Sequence, residues 1–210
     1  MTAGKGILHS EAPSCEDELT SAYQIWINLP KKDKMVEPCY SEFKAEQIPS
    51  AKGDKFEVKV LCGEFGGVKG AIDHPLKVDV LVMHLEEGGQ VKYLLKKGHN
   101  GFMVVSSGEL LVNETPLKAI EGVTFQLSES ENTELSIKAI KKTDLQLCAG
   151  KPLGEPMARA GPFVMNTKEK IDQCYFDVKN STNGFEKAKG WKSENSKRIL
   201  RHMSEHEVTE

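Results

Sequence analysis

The chain has 210 residues, of which 39% are hydrophobic and 28% charged, a composition typical of a soluble globular protein with a real core. Its formal net charge of −3 argues against bulk electrostatic coating of nucleic acid, so no direct nucleic-acid binding is expected. No apolar run approaches the roughly 20 residues of a membrane span, and the first residues show no signal-like apolar stretch. The sequence therefore predicts neither a membrane protein nor a secreted one.

The five cysteines form no recognisable framework, because they are odd in number, scattered and without a C-x-x-C pair. Such a pattern predicts reduced thiols, as in the cytosol or nucleus, and argues against a disulfide scaffold or a zinc ribbon. The cysteines are Cys15, Cys39, Cys62, Cys148 and Cys174.

Short alternating runs of apolar and polar residues dominate the chain. Two runs come early, at 7–9 and at 24–29, and a short helix is predicted around 38–46. Many short strands separated by glycine-rich turns are typical of an antiparallel sandwich or barrel, so an all-β fold is predicted. The later strands are predicted at 56–62, 78–85, 91–95, 102–105, 109–113, 123–127, 135–140 and 145–149.

Helix is predicted convincingly only near the end of the chain. Asn166 can cap a helix, with Glu169 completing a capping box. An apolar stripe at helical spacing follows, and Asn183-Gly184 ends the helix before a second short one at 185–191. The charged segment 194–210 lacks an apolar face, so a disordered tail is expected there.

The first candidate site is His9 with Glu11, two residues apart and therefore on one face of a strand. An imidazole and a carboxylate supply half of a non-haem iron site, which needs at least three protein ligands. Taken alone, H-x-E is a weak motif, and a surface pair is the commoner explanation. The H-x-x-E-H at 202–206 lies in the polar tail without a third ligand and is interpreted as chance.

Several longer motifs stand along the chain. They are T-A-G-K-G-I-L-H-S-E-A-P at 2–13, Q-I-W-I-N-L-P at 24–30, K-M-V-E-P-C-Y at 34–40, A-G-K-P-L-G-E-P at 149–156, G-P-F-V-M-N-T at 161–167, N-G-F-E-K-A-K at 183–189 and W-K-S at 191–193. In this order they resemble the motifs of the pirin family, proteins of the cupin superfamily. The span from about 56 to 148 matches mainly in its strand pattern.

The resemblance implies an all-β bicupin, with two stacked double-stranded β-helix (jelly-roll) barrels and C-terminal helices. It also implies an N-terminal iron site of three histidines and one glutamate, of which His9 and Glu11 match the last two. The H-x-H segment that supplies the first two ligands is not found in this chain. We therefore expect 1–45 to be the remnant of an incomplete N-terminal barrel, 50–193 the complete C-terminal one, and iron binding to be weak or absent.

Two functions follow from the resemblance. The first is a non-catalytic binding role, as a transcription co-regulator of NF-kappaB-type complexes in the nucleus and cytoplasm. The alternative is an iron-dependent quercetin 2,3-dioxygenase, if the missing ligands are supplied or the gene model is incomplete. A third hypothesis, separate from these two functions, is a fragment without independent function. Exposed strand edges at 7–9 and 24–29 also predict self-association, since an unpaired edge can pair with another chain.

Overall fold

The computed structural model describes residues 1–11, 21–125 and 131–193. The chain divides into two compact units: unit 1 joins Met1–Ser41 to Gly154–Glu210, and unit 2 is Glu42–Leu153. The expected cupin domain limits at 45, 50 and 193 stay a prediction, and the predicted tail lies outside the described residues.

The described residues of unit 2 form short antiparallel strands in three sheets. A six-stranded sheet has the order β1-β2-β5-β12-β7-β10, a four-stranded sheet has the order β6-β11-β8-β9, and β3 pairs with β4. The strands are β1 (Ser50–Gly53), β2 (Phe56–Cys62), β3 (Glu64–Phe65), β4 (Val68–Lys69), β5 (Val78–Leu85), β6 (Gln90–Leu95), β7 (Asn100–Ser107), β8 (Glu109–Val112), β9 (Thr115–Lys118), β10 (Gly122–Phe125), β11 (Thr133–Ala139) and β12 (Thr143–Gly150).

The core of unit 2 lies between the faces of the two larger sheets. In β6 the side chains alternate, so that Val91, Tyr93 and Leu95 are buried while Lys92 and Leu94 face solvent. β12 pairs with β5 on one side and with β7 on the other, and is the central strand of the large sheet. One hydrophobic cluster draws buried side chains from both sheets. The prediction of an all-β fold is confirmed.

Unit 1 contains the hairpin β13 (Ala158–Ala160) and β14 (Phe163–Met165), followed by helix α1 (Lys168–Asn180). The helix cap differs from the prediction by one residue: Thr167 Oγ1 accepts the Lys170 N–H at 3.4 Å, while Asn166 donates from its side chain to the Pro156 carbonyl at 2.8 Å. Ser181 ends α1 in the left-handed conformation. Within the described residues, no helix is long and apolar enough to cross a membrane.

The early predicted elements differ most from the structure. The segments 7–9 and 24–29 are not strands, because a strand needs a partner for its backbone groups, and the described part of 1–41 forms only an isolated bridge between Thr2 and Cys39. In place of the helix predicted at 38–46, the structure has a 3₁₀ turn at Ala45–Gln47, and the backbone of Cys39 pairs with Thr2 in the isolated bridge. The second C-terminal helix is likewise a short 3₁₀ turn, Glu186–Ala188.

Candidate functional site

The predicted metal ligands lie together on the surface of unit 1. His9 Nδ1 is 3.9 Å from Glu11 Oε1, and the side chains are 37% and 71% exposed. Glu11 Oε1 also accepts a hydrogen bond from Gln24 Nε2 at 3.3 Å. The structure therefore brings the two side chains to one side of the chain, although residues 7–11 form no strand.

The described residues do not complete an iron site around this pair. A non-haem iron centre takes at least three protein ligands, commonly two histidines and a carboxylate. Residues 1–11, 21–125 and 131–193 contain no group of three or more His, Cys, Asp or Glu side chains placed to hold a metal. His9 and Glu11 thus supply two donors, and these alone do not fit the group that the resemblance implies.

The other described histidines have local structural roles in unit 2. His74 Nδ1 accepts the Leu76 N–H at 3.1 Å, which closes a turn. Partial burial, followed by the positive charge of Lys96, lowers the pKa of His99. His202 and His206 lie outside the described residues.

His84 forms the most direct ionisable pair of unit 2. Its Nδ1 is 2.6 Å from Asp144 Oδ1, and Ser107 Oγ donates to Asp144 Oδ2 at 2.8 Å. Partial burial raises the pKa of the Asp144 carboxyl, but these two hydrogen bonds outweigh it and hold the pKa below its ordinary value. Residues 84 and 144 meet because they are register partners on β5 and β12, and no sequence pattern reveals that register.

A buried carboxylate lies at the start of β5. Tyr93 donates its hydroxyl proton to Asp79 Oδ2 at 2.8 Å, and Lys96 Nζ lies 3.8 Å from the same oxygen. Burial, with the Asp79 charge adding to it, raises the pKa of Tyr93, so the phenol stays protonated and donates. Burial also raises the pKa of the Cys148 thiol to about 11, so this thiol is protonated and unreactive at neutral pH.

An open cleft of about 950 Å³ lies in unit 1, beside the N-terminal segment. Its apolar walls include Leu8, Met35, Phe185 and Trp191, and Asp177 is among its polar lining residues. Neither His9 nor Glu11 lines the cleft. The cleft is therefore separate from the metal-ligand candidates, although Leu8 precedes His9 directly in the chain.

Asp177 organises the end of helix α1. Its Oδ1 accepts three hydrogen bonds, from Gln173 Nε2 at 2.9 Å, Thr182 Oγ1 at 3.1 Å and Asn183 Nδ2 at 2.8 Å. Burial raises the pKa of this carboxyl, and the three donors together outweigh burial and lower it. Such support is needed because a carboxylate near a helix C-terminus faces the negative end of the helix dipole. Apart from the Asn-Gly helix stop, no pattern in the sequence predicts this cluster.

Lys34 is a second buried charge of unit 1. Its Nζ donates to Asn28 Oδ1 at 2.6 Å and to the Val164 carbonyl at 3.4 Å. Burial lowers the pKa of this ammonium, and the nearby Glu155 carboxylate opposes that shift. Lys34 thus joins the early segment to β14, a structural role within the K-M-V-E-P-C-Y motif.

Comparison with known proteins identifies one family. The family described as the pirin C-terminal cupin domain matches residues 80–184. Pirin from Rattus norvegicus and Pirin from Homo sapiens are each 39% identical to this chain over 195 residues, which cover 92% of this chain and 67% of each relative. The chain thus spans about two thirds of the length of these curated relatives.

A solved structure of quercetin 2,3-dioxygenase from Acinetobacter baumannii has the same fold. It is 31% identical to this chain, with a TM-score of 0.69, and the likeness covers 76% of this chain and 56% of the other. This chain therefore spans little more than half of that structure. Together with the family match, the likeness confirms the predicted cupin-type fold.

Proposed function

This chain belongs to the pirin family, and on that premise we propose that it acts by binding a transcription-factor complex of the NF-kappaB type and not as an oxygenase. The observation that carries the proposal is the environment of His9 and Glu11. The two side chains are exposed donors 3.9 Å apart, and the described residues place no third ligand beside them. A pair of this kind holds a divalent ion weakly. The proposal places the chain in the nucleus and cytoplasm.

The surface of unit 1 supports a binding role. Most of the large hydrophobic side chains that face solvent belong to this unit, and aromatic residues and methionines are enriched where proteins bind one another. Arg159 stacks over the ring of Trp26, 4.7 Å from its centroid, and so presents a cation beside an apolar face. The exposed side chains are Met1, Leu8, Tyr23, Trp26, Met35, Val36, Tyr40, Met157, Tyr175, Phe176 and Trp191.

Iron-dependent quercetin 2,3-dioxygenase activity is the second candidate. It is favoured by the likeness to the Acinetobacter baumannii enzyme of that name at 31% identity. This function requires at least one further ligand beyond His9 and Glu11, supplied from outside the described residues.

Iron reconstitution distinguishes the two functions. The protein, the variant His9→Ala and the matched control His99→Ala are incubated anaerobically with Fe²⁺ and desalted, and iron is measured by elemental analysis. Loss of quercetin absorbance and uptake of dioxygen are then followed in air. The binding role predicts low and equal iron contents and no quercetin turnover in all three proteins. Stoichiometric iron and turnover that disappear only in His9→Ala would establish the oxygenase instead.

A direct binding measurement tests the partner. A purified NF-kappaB-type dimer is passed over the immobilised protein, over Phe176→Ser and over Leu94→Ser, which removes an equally exposed apolar side chain from unit 2. We expect Phe176→Ser to weaken binding by about tenfold, as truncation of an aromatic anchor does, and Leu94→Ser to leave it unchanged. Absence of binding by the unmodified protein would contradict the proposal.

A further inference from the structure

The turn that follows helix α1 contains an Asn-Gly sequence, Asn183-Gly184. Both residues have positive φ angles, 50° at Asn183 and 109° at Gly184, and Asn183 is exposed. Asn-Gly pairs can react with themselves, because no side chain on glycine shields its backbone nitrogen. That nitrogen attacks the asparagine Cγ, ammonia leaves, and water opens the resulting succinimide to aspartate or isoaspartate.

Both reacting groups are hydrogen-bonded to other residues in the folded turn formed by residues 183–186, which we call the 183–186 turn. The side-chain nitrogen of Asn183 donates to the buried Asp177 at 2.8 Å, so the amide is anchored. The attacking group is occupied too, since the Gly184 N–H donates to both carboxylate oxygens of Glu186, at 3.2 and 3.1 Å. The succinimide can form only after these contacts break.

The turn is also closed by the N-terminal segment of unit 1. A Cβ atom at Gly184 would lie 2.7 Å from the carbonyl oxygen of Lys5, and a Cβ at Gly6 would lie 2.4 Å from the ring of Phe185. Only glycine permits both approaches. Opening the 183–186 turn therefore separates it from residues 5 and 6 as well.

We propose that Asn183 is a spontaneous deamidation site gated by the 183–186 turn, and that its product keeps the turn open. The reaction consumes one water, releases one ammonia and needs no oxidant or other reagent. The reaction converts the side-chain amide of Asn183, which donates a hydrogen bond to Asp177, into a carboxylate beside the carboxylate of Asp177. Two carboxylates in contact repel each other, so the hydrogen bond that closed the turn cannot form again.

The chain carries its own control in Asn100-Gly101. These residues begin β7, where Asn100 and Gly101 are register partners of Gly150 and Ala149 on β12. The same dipeptide is thus fixed in a sheet ladder, without Glu186 or Asp177. In the unfolded chain, the two Asn-Gly pairs undergo the same deamidation reaction.

The experiment follows both sites in the full chain by peptide mass spectrometry during incubation at mildly alkaline pH, folded and in urea. In the folded protein, Asn183 deamidates more slowly than it does in urea. In urea, Asn183 and Asn100 deamidate at the same rate. Glu186→Ala speeds the reaction at Asn183 in the folded protein by roughly threefold or more, since it frees the attacking N–H, and Asn100 is unaffected. Glu186→Gln, which keeps an acceptor, restores most of the protection.

The effect of deamidation on the 183–186 turn is tested separately, with the variant Asn183→Asp and the control Asn100→Asp. Asn183→Asp lowers Tm by about 2–4 °C and increases amide hydrogen exchange in 177–186, while Asn100→Asp changes neither. Equal deamidation of Asn183 in folded and unfolded protein, or no acceleration in Glu186→Ala, would overturn the gating. If Asn183→Asp had the Tm and the amide hydrogen exchange of the original protein, the proposal that the deamidated product keeps the turn open would be overturned.

Discussion

Gly63 closes the space around the buried Asp79 carboxylate. Its φ is 85°, and a Cβ there would lie 2.0 Å from Asp79 Oδ1 and 2.7 Å from the Val78 carbonyl oxygen. Gly67 has a similar φ of 77°, but nothing lies within 4 Å of its Cβ position. We expect Gly67→Ala to cost about 1 kcal/mol of unfolding free energy through its backbone alone, and Gly63→Ala clearly more. Urea unfolding of both variants measures this, and equal losses would contradict the proposed contact.

The His84–Asp144 pair makes a pH-dependent contribution to stability. Because the folded pKa of Asp144 lies below its ordinary value of 3.8, the contribution is complete above that value and disappears as the pH falls through the folded pKa. Both side chains are 42% exposed, so solvent screening limits the cost of Asp144→Asn to about 0.5–1 kcal/mol at neutral pH.

Urea unfolding at neutral pH and at a pH of about 3 tests this contribution. The difference in unfolding free energy between the original protein and Asp144→Asn should become smaller in acid. The exposed control Asp73→Asn should have the same unfolding free energy as the original protein at both pH values. A constant difference for Asp144→Asn would mean that the side chain acts by packing and not by charge.

At the residue scale, the i,i+2 spacing predicted that His9 and Glu11 share one side of the chain, and their side chains lie 3.9 Å apart although 7–9 is not a strand. Their role as metal ligands stays a prediction. Sequence reasoning missed the Asp177 and Asp144 hydrogen-bond clusters. The Asp144 cluster joins side chains far apart in sequence, and its assembly depends on strand register. The Asp177 cluster depends on a left-handed helix end.

At the element scale, alternation identified the long strands of unit 2 within a few residues, as at β2 and β5. Burial of one face imposes that period on the sequence. Two-residue strands such as β3 are too short to show a period. The segment 24–29 shows why alternation alone does not predict a strand. Its apolar and polar residues alternate well, but a strand also needs a second strand for its hydrogen bonds, and a local pattern does not specify that partner.

The central position of β12 makes its buried side chains costly to truncate. Leu147 is fully buried and its strand pairs on both sides, so Leu147→Ala leaves a cavity that neighbouring strands cannot fill. We expect a loss of about 2–5 kcal/mol in unfolding free energy. Leu94→Ala, at a side chain 53% exposed on β6, should cost less than about 0.5 kcal/mol. Chemical denaturation of both variants tests the expected difference.

At the scale of the whole molecule, we predict self-association through 21–30. This stretch has no charged residue and forms no strand pair in the described structure, so no charge opposes its pairing with another chain. Light scattering should show an apparent mass that rises with protein concentration. Trp26→Lys should reduce that rise, while Ile120→Lys, in a loop residue 85% exposed, should not. A monomer at all concentrations would contradict the prediction.

Unit 1 is built from two segments that flank unit 2 in the sequence, and this sets an order in which the chain can fold. At about 5–20 residues per second of synthesis, the six-stranded sheet stays open until its central strand β12 has left the ribosome, because β5 and β7 have no direct pairing to each other. Residues 1–41 form their native contacts later still, because their unit is completed only by the chain after Gly154. Contacts so distant in sequence form slowly, so residues 1–41 lack these native partners until the chain after Gly154 has been made.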